Sequence, residues 1–191
     1  MKVLVLSTSH RTNSSTFRAS KYLEHLLLQQ GFDAQIIDFV GDDIPLIGKA
    51  DLNPQNLSDF QKKLIDRWNE ANIILIVTPE YNWGLNANVI NLFHQLGNHT
   101  FKKLFDNKIF AIAGVSSGRG GRMPAIDLMV IISKLISFLN QYSFVSPKIL
   151  ELHEVPFNLN EKGEIITEAL FEKNAKDFVE YLKNIALKWN F

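Results

Sequence analysis

The chain has 191 residues, 46% of them hydrophobic and 21% charged, with 20 basic residues balancing 20 acidic ones. That is the make-up of a soluble globular chain long enough for one α/β domain with a real core, and a neutral chain without a basic stripe argues against a nucleic-acid partner. Cysteine is absent, which excludes disulfides, thiolate metal ligands and a cysteine nucleophile, and fits a reducing, cytoplasmic setting.

Val3, Leu4, Val5 and Leu6 form a short apolar run that predicts a strand buried on both faces of a parallel sheet. The run is too short for a signal-peptide core. It stops abruptly in Ser7-Thr8-Ser9-His10-Arg11-Thr12-Asn13-Ser14-Ser15-Thr16. Ala19, Tyr22, Leu23, Leu26 and Leu27 then recur at helical spacing. A strand, a polar loop and a helix N-terminus make an anion site, because free N–H groups and the positive dipole end converge there. Hydroxyls add donors, and Arg11 can offer a charged fork to phosphate. The alternative is a loop that only caps the helix; one cap needs one such residue, and this loop offers a run of them.

Gly31 suits the C′ position of that helix. Residues 34–39 read as a second strand, followed by a loop with Gly41, Pro45 and Gly48. Phe60, Leu64 and Trp68 mark a helix that ends before Asn72. Residues 73–77 are the most hydrophobic run and predict the central strand, ending at Thr78-Pro79-Glu80-Tyr81-Asn82-Trp83-Gly84. Val89, Leu92, Phe93 and Leu96 stripe the next helix. Residues 109–113 form a fourth strand running into a loop with Gly114, Gly118, Gly120 and Gly121. A long apolar helix follows, from about Pro124 to Gln141. Its greasiest part, Ala125 to Leu139, carries Asp127 and Lys134 and is too short to span a bilayer. A fifth strand runs from Phe144 to Leu152, interrupted or preceded by Pro147. After a turn at 160–163, Phe171, Ala175, Phe178, Leu182 and Ile185 stripe the last helix. Alternating strands and helices predict one domain, residues 1–191, with a doubly wound parallel sheet.

Ligands of such sheets sit outside the carboxyl ends of the strands, and the loops after strands one, three and four leave from that edge. The first offers a phosphate cradle. The second offers an aromatic wall with backbone donors at Asn82, Trp83 and Gly84. The third offers glycines that let a flat ring approach the backbone. A planar, phosphorylated heterocycle fits the set, and flavin mononucleotide (FMN) is such a molecule.

Three motifs then carry a resemblance to the NAD(P)H-dependent FMN reductase family. Residues 7–16 are similar to its phosphate loop, close to S-G-S-x-R-x-x-S-x-T. Thr78-Pro79-Glu80-Tyr81-Asn82 resembles its T-P-E-Y-N flavin-ring loop, and Ser116, Gly118, Gly120 and Gly121 its second flavin loop. Asn91 falls where the following helix of the family has a Lys-Asn pair. The resemblance covers residues 1 to about 140. It implies a flavodoxin-like fold, with a five-stranded sheet in the order 2-1-3-4-5 and helices on both faces. It implies that Ser9, Arg11, Ser14, Ser15 and Thr16 hold the phosphate. Pro79, Glu80, Tyr81, Asn82, Trp83 and Gly84 would line the isoalloxazine, with Ser116, Gly118 and Gly121 opposite. The chain departs from the pattern at Thr8, where the family has glycine, and at Gly84-Leu85-Asn86, where the family's small-residue-and-proline segment would bring a proline. Ile90 replaces the usual Lys and His94 the usual Asp.

On these grounds the expected activity is transfer of a hydride from NADPH or NADH to FMN, and of electrons onward to a quinone, azo compound, free flavin or metal oxyanion. The flavin carries the chemistry, so no catalytic side chain is named. The alternative is a flavodoxin-like electron carrier or flavin-binding sensor without its own turnover; carriers tend to have a strongly acidic face, which this neutral chain does not suggest. The 5 histidines lack ligand spacing, so no metal is expected. Glu80 reads as a loop organiser rather than a general base, His10 as solvent-exposed, and His94 as a hydrogen-bonded structural residue or one facing a subunit interface. Trp83 stacks near the ring or a partner subunit, or covers apolar surface. Arg119 and Arg122 are either solvated or placed to meet the 2′-phosphate of NADPH. Residues 123–139 are apolar nearly all round, which predicts a homodimer interface, with pairing into tetramers left open.

Overall fold

The computed structural model describes residues 1–167 and 169–189. Strand β1, Lys2–Ser7, leads into helix α1, Ser15–Gln29. Strand β2 is Asp33–Asp38, helix α2 Asp59–Glu70 and strand β3 Ile73–Pro79. Helix α3, Ala87–Leu96, is followed by a 3-10 stretch, His99–Phe105, and strand β4, Ile109–Val115. Helix α4 is Arg122–Phe138; the short strands β5 and β6 are Phe144–Val145 and Leu150–Leu152. A single helical turn α5, Val155–Asn158, precedes the last helix α6, Ala169–Lys188.

The strands order as β2-β1-β3-β4-β5, each pair parallel, which is the expected doubly wound arrangement. Every residue of β3 and β4 is buried, as an apolar run without alternation requires. Side chains still alternate across the sheet. Val3, Val5, Leu75, Val77 and Ala111 join α1 and α6 on one face, while Leu4, Leu6, Ile74, Ile76 and Phe110 join α2, α3 and α4 on the other. Trp68 sits among Phe93, Phe105 and Phe110, with its indole N–H donating to the Leu104 carbonyl at 2.8 Å.

The expected fifth strand is two pieces. Both lie parallel to β4, with Ile109 and Phe110 opposite Phe144 and Val145, and Ala113 to Val115 opposite Leu150 to Leu152. More residues separate the two pieces than separate their partners on β4, so the chain bulges outward around Pro147, which cannot donate to the ladder. Ser146 bridges the interruption by donating its N–H to Phe110 O at 2.7 Å. The turn α5 lies outside the expected elements. Gly31 follows α1 at φ 85°, the left-handed position foreseen for it. Among the described residues no helix is long and apolar enough to cross a membrane.

Candidate functional site

Strands β1, β3 and β4 are neighbours and end within two residues of one another, Ser7 opposite Val77 and Pro79 opposite Val115. Their following loops therefore emerge side by side. Between them lies a cleft of about 260 Å³, lined by Ser9, Arg11 to Thr16, Pro79, Glu80, Tyr81, Val115 and Ser117.

The first loop carries a helix cap together with a run of free amides. Ser14 is the N-cap of α1, its Oγ accepting the Phe17 N–H at 3.0 Å. The amides of Thr12, Asn13, Ser14, Ser15 and Thr16, by contrast, make no hydrogen bond among the described residues. A run of free N–H groups at the positive end of a helix is suited to bind an anion. Asn13 bends the loop at φ 53°, and all five residues line the cleft. Ser9 Oγ lies 3.3 Å from both the Arg11 amide and the Tyr81 hydroxyl, and the Arg11 guanidinium stacks 4.7 Å from the centre of the Tyr81 ring. Arg11 thus stands at the seam between the first loop and the aromatic wall.

The second loop is a tight hairpin turn. Tyr81 N–H donates to Gly84 O at 3.1 Å and Gly84 N–H returns to Tyr81 O at 3.0 Å, with Asn82 and Trp83 both at positive φ, 49° and 63°. That is a type I′ turn, and it leaves the amides of Asn82 and Trp83 unengaged among the described residues. Trp83 is 78% exposed and stands outside the cleft wall.

Glu80 ties the second loop to the third. Its amide donates to Val115 O at 2.9 Å and its Oε2 accepts the Gly121 N–H at 2.6 Å. A Cβ at Gly120 would collide with this carboxylate, and one at Gly114 with the Gly121 carbonyl, so these glycines are there for close approach. Ser116 and Gly118 shape the loop rather than line the cleft: Ser116 N–H goes to Leu152 O at 3.0 Å, and Ser116 Oγ accepts the Gly118 N–H at 3.2 Å. Ser117 and Val115 form the wall in their place. Gly121, at φ 96°, starts α4.

Other placements differ from expectation. His10 is not simply solvent-exposed; its Nε2 meets the Asp42 carboxylate from the loop after β2, and its ring lies edge-on to Phe39. His94 is exposed on α3 with no hydrogen bond among the described residues. Arg122 is engaged by Glu151 at 2.7 Å, and that carboxylate holds the guanidinium pKa above its usual value. Two contributors went unforeseen. His153 Nδ1 accepts the Gly120 N–H at 3.0 Å, and Asn86 links the first two loops. A single histidine near a short strand gives no sequence signal, whereas the break in pattern at Asn86 did.

A phosphorylated planar ring fits this donor set. The free amides of Thr12 to Thr16 match a dianion, and the Tyr81 ring in the cleft wall offers an aromatic system a face to pack against. A family model described as NADPH-dependent FMN reductase matches residues 1–148. No curated protein sequence matches the chain. Among solved structures, the flavoenzyme FerB, an NAD(P)H:acceptor oxidoreductase of Paracoccus denitrificans, superposes with a TM-score of 0.74 at 18% identity, over 96% of this chain and 95% of that one. An FMN-dependent NADH-azoreductase of Bacillus anthracis superposes at 0.57 and 16% identity, over 97% and 100% of the chains. The flavodoxin of Megasphaera elsdenii superposes at 0.54 and 13% identity, over 93% and 98%. At such identities these likenesses speak for the flavodoxin-like fold alone. The family match spans well over half of the sequence, with all three cleft loops inside it: the chain belongs to the NADPH-dependent FMN reductase family.

Proposed function

We propose that this protein passes electrons from NADPH or NADH, by way of FMN held in the cleft, to a small-molecule acceptor: a quinone, an azo compound, a free flavin or a metal oxyanion. The observation that carries the reading is the run of amides from Thr12 to Thr16 that make no hydrogen bond among the described residues, in a cleft shared with Tyr81. Among the structures of like fold are an NAD(P)H:acceptor oxidoreductase and an NADH-azoreductase, and an azo compound is one of the acceptors proposed.

When bound, FMN supplies the hydride acceptance and the onward electron transfer. The chain's own residues bind and orient. The free amides, with the hydroxyls of Ser15 and Thr16 and the side chain of Arg11, would hold the phosphate; Ser9 joins them through its contact with Tyr81. Ser14 is committed through its Oγ to the helix cap and would contribute its N–H. Pro79, Glu80 and Tyr81 form the wall on one side, Val115 and Ser117 on the other. The unengaged amides of Asn82 and Trp83, with Gly84 closing their turn, are donors for the anionic edge of a reduced ring. Ser116, Gly118 and Gly121 keep the opposite loop in shape. Because Glu80 is committed to Gly121, no side chain is assigned as acid or base. The functional unit is a homodimer built on α4, working in the cytoplasm, with residues 1–191 acting as one domain.

The test is an absorption spectrum of the purified protein followed by anaerobic addition of NADPH. Flavin bands that bleach within seconds are expected. Bands that persist would favour an electron carrier or sensor, and a colourless protein unable to bind added FMN would overturn the assignment of the Ser9–Thr16 loop.

A further inference from the structure

Two of the departures from the family pattern, Thr8 in place of a glycine and the proline-free segment Gly84-Leu85-Asn86, touch each other through Asn86. The Asn86 amide Nδ2 donates to Thr8 Oγ1 and to Thr78 Oγ1, both at 3.3 Å. Its Oδ1 accepts the Val89 N–H at 2.9 Å and so caps α3. That cap fixes which way the amide points, since the reverse orientation would set Nδ2 against another donor. The Thr8 hydroxyl donates to Val77 O at 3.1 Å, leaving a lone pair for Asn86. All three side chains are buried, Asn86 being 3% exposed. Neither glycine nor proline has a side-chain group that could make this link.

Each end of the network adjoins one half of the cleft. Thr8 precedes Ser9 and the phosphate cradle; Thr78 precedes Pro79 and the aromatic turn. We infer that Asn86, with Thr8 and Thr78, is a brace of positioning residues that sets the distance between the phosphate-holding and ring-holding loops. The inference rests on FMN as the ligand. A ligand with two linked parts gains affinity only while both subsites stand at the spacing its own bonds impose. Riboflavin, which lacks the phosphate, uses the ring subsite and is indifferent to that spacing. The brace therefore sets the preference for FMN over riboflavin rather than flavin affinity in general.

The experiment titrates the full-length chain, freed of flavin by dialysis, with FMN and with riboflavin and reads flavin fluorescence. Asn86→Ser keeps a capping oxygen for Val89 but removes the bridging amide; Thr8→Val removes the hydroxyl at nearly constant shape. Either is expected to weaken FMN about tenfold while riboflavin changes less than about twofold, and the double variant is expected to fall no further than the single ones. Thr8→Ser, which restores the hydroxyl, is expected to keep the FMN preference. Thr78→Val, removing the other acceptor of the same amide, serves if one variant does not fold. Equal weakening of FMN and riboflavin, or losses that add in full, would overturn the brace. A wild-type chain that binds neither flavin would instead overturn the FMN reading. The brace is then judged by urea unfolding alone, where full additivity of Thr8→Val and Asn86→Ser would refute it.

Discussion

Asp38 closes β2 with a carboxyl oxygen, Oδ1, that is buried and has no hydrogen-bond partner among the described residues. Burial pushes its pKa up, opposed by Ser7, by the amides of Phe39 and Val40 and by the charge of His10. A carboxyl whose pKa is raised by folding contributes stability below its unfolded pKa and loses that contribution as pH rises through the folded value. At pH 7 the ionised group is therefore a net cost. Asp38→Asn is expected to raise the urea midpoint at pH 7, with the difference closing below about pH 4, where the unfolded chain is protonated as well. Trp83 stores a different cost. A bulky residue at φ 63° sits in a region that disfavours a Cβ by about 1–2 kcal/mol. Trp83→Gly is expected to gain up to about 1 kcal/mol in urea unfolding, since glycine tolerates that conformation. If the exposed indole serves the acceptor, KM for a quinone rises while FMN affinity stays put. That a residue of this loop caps α1, as Ser14 does, was legible in the sequence, because caps favour Ser, Thr and Asn. The Asp42 partner of His10 was not, because Asp42 comes from the loop after β2 and adjacency along β1 says nothing of what a neighbouring strand brings.

Helix α3 carries a second device, one turn beyond its cap. Asn91 and Gln95 lie on one face at the spacing of a helical turn, and both reach into the long loop after β2. Asn91 accepts the Ile47 N–H at 2.8 Å and donates to Pro45 O at 3.0 Å. Gln95 accepts the Leu52 N–H at 2.9 Å and donates to Pro45 O and Ala50 O, at 2.9 and 2.8 Å. A loop without a ladder still has backbone groups to satisfy, and these two amides supply that need. Gln95→Leu fills the space but orphans the Leu52 N–H and the Ala50 carbonyl, Pro45 O keeping its bond from Asn91, for an expected loss of about 1–3 kcal/mol. Hydrogen exchange at Leu52 and proteolysis within 44–52 should both speed up, while flavin affinity holds. The sequence marked this segment as a loop from Gly41, Pro45 and Gly48, yet the pull of α3 upon it was invisible, since neither Asn nor Gln advertises a partner more than 40 residues away. The fifth strand was half legible for a related reason. Pro147 announces an interruption, but only the β4 register shows that both pieces remain on the same flank.

At the scale of the molecule, the order β2-β1-β3-β4-β5 follows from runs such as 73–77 and 109–113 that are apolar on both faces and so must be central. What the sheet does not consume is equally informative. Helix α4 buries Ala125, Leu128, Ile132 and Ile136 against the core, leaving Met123, Ile126, Val130 and Phe138 exposed, Val130 at 65%. These residues run along a helix about 25 Å long, and such a stripe on one helix is what an isologous interface between two copies would cover. An antiparallel pairing of α4 with its twofold mate, centred between Val130 and Ile131, would set Asp127 of each copy near Lys134 of the other. Sedimentation velocity is expected to show a concentration-dependent dimer, and Val130→Asp a monomer at the same loading. Lys134→Glu should weaken the dimer, and adding Asp127→Lys should restore it, because the exchanged charges meet again across the axis. Failure of that restoration, with Val130→Asp still monomeric, would keep α4 as the interface but refute the antiparallel register. A wild-type chain that sediments as a monomer at every concentration would leave the stripe without a second copy to cover it.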